Sequence, residues 1–233
     1  SVSLEGMVNR PGQYFIDENE TLNSLIKRAG GFKDNAYVYG SALFRKTAQD
    51  QEKVFAQMNY SDTVNFIISN AGKGNLNKGI LDLLNEELRS QNLPGRVVLD
   101  FNQSLSQDNK FLLEDGDKIV VPALHKVVYL FGDFRNPSNL AYDPALKVKD
   151  YLKLVGGVKD TAFDEIIVID PDGKSHVYLS GIFSRSNVEI YPGSIIYAPR
   201  NVGKLSGVQY AASVSPILSS LAISLASLNS IKD

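Results

Sequence analysis

Val2-Ser3-Leu4-Glu5-Gly6-Met7-Val8-Asn9-Arg10-Pro11-Gly12 opens the chain, and Val128-Tyr129-Leu130-Phe131-Gly132-Asp133-Phe134-Arg135-Asn136-Pro137-Ser138 repeats its plan. The correspondence runs without a gap from Val2–Tyr37 onto Val128–Phe163, at an offset of 126 residues (128 minus 2), with 11 of 36 positions identical. The identities fall where backbone geometry is demanding. Gly6 meets Gly132, Pro11 meets Pro137, Gly30-Gly31 meets Gly156-Gly157, and Lys33-Asp34 meets Lys159-Asp160. Self-similarity of this kind means one structural unit used twice.

Each copy reads in the same order. A β-rich run ends at Gly6 or Gly132, and a turn follows at Pro11-Gly12 or Asn136-Pro137, where proline presets φ and cannot continue a central strand. A second short strand comes next, Gln13–Ile16 or Asn139–Tyr142. Thr21 then suits an N-cap, with Leu22, Leu25, Ile26 and Ala29 at helical spacing. Val148, Tyr151, Leu152 and Val155 keep that face in the second copy. The Gly-Gly pairs end both helices, as a left-handed C-terminal position requires.

The closing strands also correspond. Asp115-Gly116-Asp117-Lys118-Ile119-Val120-Val121-Pro122 answers Pro192-Gly193-Ser194-Ile195-Ile196-Tyr197-Ala198-Pro199, with Gly193 now only 77 residues beyond Gly116. The first copy therefore holds about 49 extra residues (126 minus 77), placed between Thr47 and Pro94. Within them, Asp50–Met58 reads as a helix, with continuation toward Ile68, and Leu81, Leu84 and Leu88 form one stripe of another. Two roles fit this insert: a helical hairpin covering its own sheet, or a contact surface for a neighbouring subunit. Arg96–Asp100 reads as the strand that rejoins the repeat, opposite His176–Leu179.

Composition narrows the chemistry. With 24 Lys+Arg against 26 Asp+Glu, the net charge of -2 gives no basic footprint for nucleic acid. There is no cysteine, which excludes disulfides, thiol nucleophiles and thiolate-bound metals. His125 and His176 are far apart and lack metal-ligand spacing. Asp115-Gly116-Asp117 lacks the spacing of a calcium loop and reads as a turn. Both glycine pairs follow helices instead of opening them, so they are not phosphate loops. No catalytic constellation emerges; the reading is non-enzymatic, with no cofactor and no metal. Ser1 opens straight into a strand-like run with neither an initiating Met nor a signal peptide, which reads as an excised fragment.

The pattern Gly6-x4-Pro11-Gly12-x-Tyr14, the amphipathic helix, Ala29-Gly30-Gly31-Phe32 and the terminal Asp115-Gly116-Asp117-x-Ile119-x-Val121-Pro122 resembles the soluble-ligand-binding β-grasp (SLBB) domain. Tandem copies followed by a C-terminal helix are similar to outer-membrane polysaccharide-export proteins of the Wza and KpsD type. The resemblance spans roughly residues 2–201. It is fuller in copy one, because Ser138 replaces the turn glycine and Pro192-Gly193-Ser194 replaces Asp-Gly-Asp in copy two.

The fold class so implied is α+β. Residues 1–125 form a first SLBB β-grasp domain with a helical insert near 47–94. Residues 126–201 form a second, and residues 202–233 a tail with an amphipathic helix near 215–231. The resemblance implies a homo-oligomeric ring in the bacterial cell envelope, periplasm and outer membrane, conducting capsular polysaccharide or exopolysaccharide and meeting inner-membrane export machinery. The alternative is a monomeric periplasmic saccharide-binding accessory of capsule assembly.

If the repeats touch sugar, aromatic rings stack on pyranose faces and small polar groups fix the hydroxyls. Tyr14, Asn35, Tyr37, Tyr39 and Arg45 are the candidates in copy one, and Arg135, Tyr142 and Phe163 in copy two. In the tail, Ile217, Leu218, Leu221, Leu225 and Leu228 recur at three- and four-residue steps, while Ser220, Ser224 and Ser227 occupy the other face. Three readings stand: a lipid-immersed span, an amphipathic helix packed on protein or lying on a membrane surface, or one stave of a multi-subunit barrel. In the last, leucines meet the outer membrane and serines line a wet pore for glycan.

Overall fold

The computed structural model describes residues 1–70, 93–106, 110–179 and 188–201. The chain divides into two compact units, one of Ser1–Leu43 with Val98–Asn201 and one that includes Phe44–Val97. The leucine stripe of the insert and the tail positions Ile217, Leu218, Ser220, Leu221, Ser224, Leu225, Ser227 and Leu228 lie outside the described residues.

The duplication is visible strand by strand. Copy one supplies β1 (Val2–Gly6), β2 (Gly12–Tyr14), β3 (Ala42–Phe44), β4 (Arg96–Val97) and β5 (Lys118–Val121), in the sheet order β2-β1-β5-β3-β4. Copy two supplies β6 (Val127–Gly132), β7 (Ser138–Ala141), β8 (Glu165–Ile169), β9 (Ser175–Leu179) and β10 (Ile195–Ala198), in the order β7-β6-β10-β8-β9. The two orders are the same permutation. In each, the first strand runs antiparallel to its hairpin partner and parallel to the last, as Ser3↔Lys118 and Tyr129↔Ile195 show. The result is two tandem α+β domains, each built on a five-stranded mixed sheet.

Bridges outside the strands repeat as well. Val8↔Phe32 recurs as Phe134↔Val158, and Ala36↔Ala123 recurs as Ala162↔Arg200. The amide of Asn9 donates to the carbonyl of Gly31 at 3.0 Å, and Arg135 does the same to Gly157 at 3.0 Å.

The glycines that carry the sequence signal have a steric reason. Gly6 has φ +89°, and a Cβ there would stand 2.1 Å from the Val121 carbonyl oxygen. Gly132 has φ +99°, with the Ala198 oxygen 2.3 Å away. The strand end must therefore turn left-handed while its backbone presses on the closing strand, which only glycine does.

One helix packs on each sheet. Thr21 caps α1 (Leu22–Arg28), its hydroxyl accepting from the Ser24 amide at 3.2 Å, and Leu22, Leu25 and Ile26 are buried. Its counterpart α4 (Val148–Leu154) buries Val148 and Tyr151. These join Val128, Leu130, Ile166, Val168 and Ile196 in one apolar cluster. The glycine pairs follow both helices at φ between +76° and +84°.

Two elements depart from the sequence reading. Helix α2 (Lys46–Asn70) continues past Ile68 in a single run, as its pattern allowed, but begins four residues before Asp50. Its unit is closed by the Gln49 amide group donating to the Leu93 carbonyl at 2.8 Å and by the Gly95 amide donating to Glu52 at 2.9 Å. The strand expected over Arg96–Asp100 stops at Val97. Asp100 instead caps α3 (Phe101–Ser104), its carboxylate accepting from the Gln103 amide at 3.0 Å, and a capping aspartate is extended but already committed to the helix. Among the described residues, no helix is long and apolar enough to cross a membrane.

Candidate functional site

The two repeats meet where the loop after α1 faces the far hairpin of copy two. Tyr37 and Tyr39 belong to a 3-10 turn (Val38–Gly40) and its N-terminal flank. The Tyr37 amide donates to the Pro122 carbonyl at 2.8 Å, tying this turn to the segment that leaves β5. Gly40 is needed here, since a Cβ would stand 2.6 Å from the Tyr37 ring.

Copy two contributes the β8–β9 turn, Asp170-Pro171-Asp172-Gly173. It is closed by the Asp170 amide donating to the Lys174 carbonyl at 2.8 Å and by the Gly173 amide donating to the Asp170 carbonyl at 2.9 Å. This double tie holds both carboxyl groups inward, and Asp170 and Asp172 are 4% and 1% exposed. Lys174 Nζ meets Asp172 Oδ2 at 2.8 Å. His176 Nε2 stands 2.9 Å from Asp170 Oδ2. The Tyr39 hydroxyl donates to that same oxygen at 3.4 Å, across the boundary between the repeats. Asp170 Oδ1 is buried and has no hydrogen-bond partner.

Aromatic rings complete the junction. The Tyr39 ring tilts against Tyr191 at 4.9 Å between centroids and sits edge-on to Tyr37 at 6.2 Å. The Tyr191 hydroxyl donates to Glu189 at 2.6 Å. Burial, with nearby carboxylates adding to it, raises the phenol pKa of both Tyr37 and Tyr39 well above the usual range. The hydrogen bond to Glu189 and burial push Tyr191 up to about 12. Burial also raises the carboxyl of Asp170, against the lowering effect of His176. The junction is thus a hydroxyl-rich aromatic patch around a desolvated carboxylate, a composition suited to polyhydroxylated ligands or to holding two domains together.

The remaining candidates have partners of their own. Tyr14 ends β2, with its hydroxyl donating to the Arg10 carbonyl and the Arg28 guanidinium 5.5 Å from its ring centroid. Asn35 is exposed and accepts the Leu124 amide at its carbonyl, 3.1 Å away. Arg45 lies in the other unit, its amide donating to Gly95 at 2.9 Å. Arg135 is exposed, 3.9 Å from Asp160. Tyr142 packs against the copy-two core and is near enough to Tyr37 to raise its pKa. Phe163 is 39% exposed, its amide bound to the Pro199 carbonyl at 2.9 Å.

Of the eight candidates, then, Tyr37 and Tyr39 are in ring contact. The partners Asp170, His176 and Tyr191 were not singled out from sequence. Asp170-Pro171-Asp172-Gly173 is a turn and His176 lies in β9, and nothing in a linear pattern points that turn at Tyr39. Among the described residues, no group of three or more His, Asp or Glu side chains could hold a metal ion.

Comparison with known families divides the chain as the duplication does. Residues 1–55 match the SLBB domain. Residues 136–223 match the family described as capsule biosynthesis GfcC C-terminal. No curated protein matches the chain.

Proposed function

We propose that this protein is a non-enzymatic component of a bacterial system that assembles or exports capsular polysaccharide or exopolysaccharide, working in the cell envelope. The observation that carries the reading is the pairing of two matches on one duplicated framework. An SLBB match covers the start of copy one, and a capsule-biosynthesis match covers most of copy two and runs into the tail. The strand order common to both sheets supports a β-grasp reading and a shared origin for the two regions.

The finer reading is a homo-oligomeric passage. The repeats form stacked tiers through which glycan passes, the tail helix contacts the outer membrane, and inner-membrane export machinery delivers the polymer. A second reading, a monomeric periplasmic saccharide-binding accessory, is favoured by the second match, which names capsule biosynthesis and carries no mention of a channel.

The mass of the intact protein extracted in detergent, measured by light scattering, separates the two readings. A large homo-oligomer supports the passage, whereas a monomer that binds capsule oligosaccharide saturably supports the accessory. Capsule that reaches the cell surface normally in a deletion strain would overturn both.

A further inference from the structure

The contact between the repeats turns on one carboxylate that is short of positive charge. Asp170 Oδ2 is shared by the Tyr39 hydroxyl and His176 Nε2, while Oδ1 is buried without a partner. Among the described residues, every other ionisable group facing it is acidic or already engaged. From copy one come the phenols of Tyr37 and Tyr39. From its own turn comes Asp172, a like charge whose partner is Lys174. From the loop before β10 comes Tyr191, bound to Glu189, and Asp100 at the start of α3 acts on Lys174. Lys174 acts on Asp170 only through space, so among the described residues the imidazole of His176 is the positive group in contact with it. Its side chain is 44% exposed, so a proton can reach it without unfolding.

We propose that Tyr39, Asp170 and His176 form a proton-operated latch between the two repeats, fastened when His176 is protonated and loosened when it is neutral. Protonated, His176 makes a charge-assisted bond to Asp170, and the carboxylate stays in place to receive the Tyr39 hydroxyl. Neutral, it leaves a buried carboxylate charge beside Asp172, and the nearest relief is solvent, reached by parting Tyr39 from the turn and from Tyr191. Histidine is the side chain whose ordinary titration falls between pH 5 and 8, which sets the range the test covers. The raised carboxyl of Asp170 has the same sign: its preference for the neutral form favours the closed junction at lower pH and opposes it as pH rises. The latch does not depend on which polysaccharide is handled.

The test uses the full chain with labelled tyrosine and histidine, followed by NMR from about pH 5 to about pH 8. With two histidines in the sequence, the His176 signal is identified by its loss in His176→Gln. The expected result is that the Overhauser contact between the Tyr39 and Tyr191 rings weakens as pH rises, with the midpoint of the His176 titration. His125→Gln should keep that response, and His176→Gln should lose it. Asp170→Asn, which keeps the shape and removes the charge, should lose it too and serves if His176→Gln does not fold. A ring contact that stays constant across the range, or one that still titrates in either of these variants, overturns the latch.

Discussion

Arg200 grips Asp133 with both arms of its guanidinium: Nη2 stands 2.7 Å from Oδ1, and Nε stands 3.1 Å from each carboxylate oxygen. Thr161 adds a hydroxyl donor at 2.7 Å from Oδ2. The equivalent positions in copy one are Met7, Ala123 and Asn35, so copy two carries an ion pair where copy one has two apolar side chains. Asp133 is 3% exposed, whereas the Arg200 side chain is half-exposed. The staple joins the end of β6 to the segment leaving β10.

Removing one partner of this staple costs more than removing both. Arg200→Ala leaves a buried carboxylate with the Thr161 hydroxyl and the charge of Lys159, and should cost about 1–2 kcal/mol, at the low end because Arg200 is half in water. Combining it with Asp133→Met, the residue copy one uses, should recover part of that loss, since a buried ion pair is readily replaced by apolar packing. Urea unfolding of the two single variants and the double variant measures the coupling.

The same staple gives copy two an acid-sensitive component. The hydrogen bonds from Arg200 hold the Asp133 carboxyl below the usual carboxylate range. A depressed folded pKa contributes stability that is present above about pH 4 and lost as pH falls through the folded value. Thermal melts should show wild type and Asp133→Asn separated at neutral pH and converging as pH falls below the ordinary carboxylate range.

At the alkaline end the fold should depend on four neutral tyrosines. Burial and Asp133 push Tyr197 up to about 12, Tyr191 is pushed up to about 12 by Glu189, and Tyr37 and Tyr39 are raised further by burial. Raised folded pKa values contribute stability that is intact below about pH 10 and lost as pH climbs through them. Part of the rise in absorbance at the phenolate band should therefore come only together with loss of secondary structure.

Gly132→Ala and Gly157→Ala separate steric clash from backbone strain. Both positions have positive φ, but a Cβ at Gly132 strikes the Ala198 oxygen, and nothing lies within 4 Å of one at Gly157. Gly157→Ala should cost about 1–2 kcal/mol, the price of a left-handed L-residue. Gly132→Ala should cost clearly more, because the β6–β10 pairing must also shift. Denaturant midpoints compare them directly.

Tyr151 shows how the copies diverged in their cores. It stands where copy one has Leu25, is fully buried, and accepts the Asp143 amide on its hydroxyl at 2.9 Å. Tyr151→Phe should cost about 1–2 kcal/mol by leaving that amide without its partner, and the loss is read as a lower melting temperature.

Much of the fold was legible because duplication marks positions where substitution is not tolerated. Gly6, Gly132 and the two glycine pairs stand at positive φ, and Leu22, Leu25, Ile26, Val148 and Tyr151 bury the predicted helical faces. The end of β4 was not legible, because Asp100 serves a strand exit and a helix cap equally well until the α3 turn is seen. The junction was half legible. Tyr37 and Tyr39 stood out as aromatic residues in a loop, but their partners Asp170, His176 and Tyr191 lie more than 130 residues later and look like ordinary turn and strand residues. Repetition reports what two copies share, and the junction is where they differ.

The parallel pairing of first and last strands has a consequence for synthesis. Neither sheet can close until its final strand has left the ribosome, since β1 waits for Lys118–Val121 and β6 waits for Ile195–Ala198. The waiting loops span 115 residues (118 minus 3) and 66 residues (195 minus 129). Loop-closure entropy grows only logarithmically, so the longer wait in copy one costs about 0.5 kcal/mol more. An insertion of that size is thus nearly free in equilibrium terms. Its burden falls on timing: during translation the first hairpin stays exposed nearly twice as long as the second, so nascent copy one is where a holding chaperone has the most to protect.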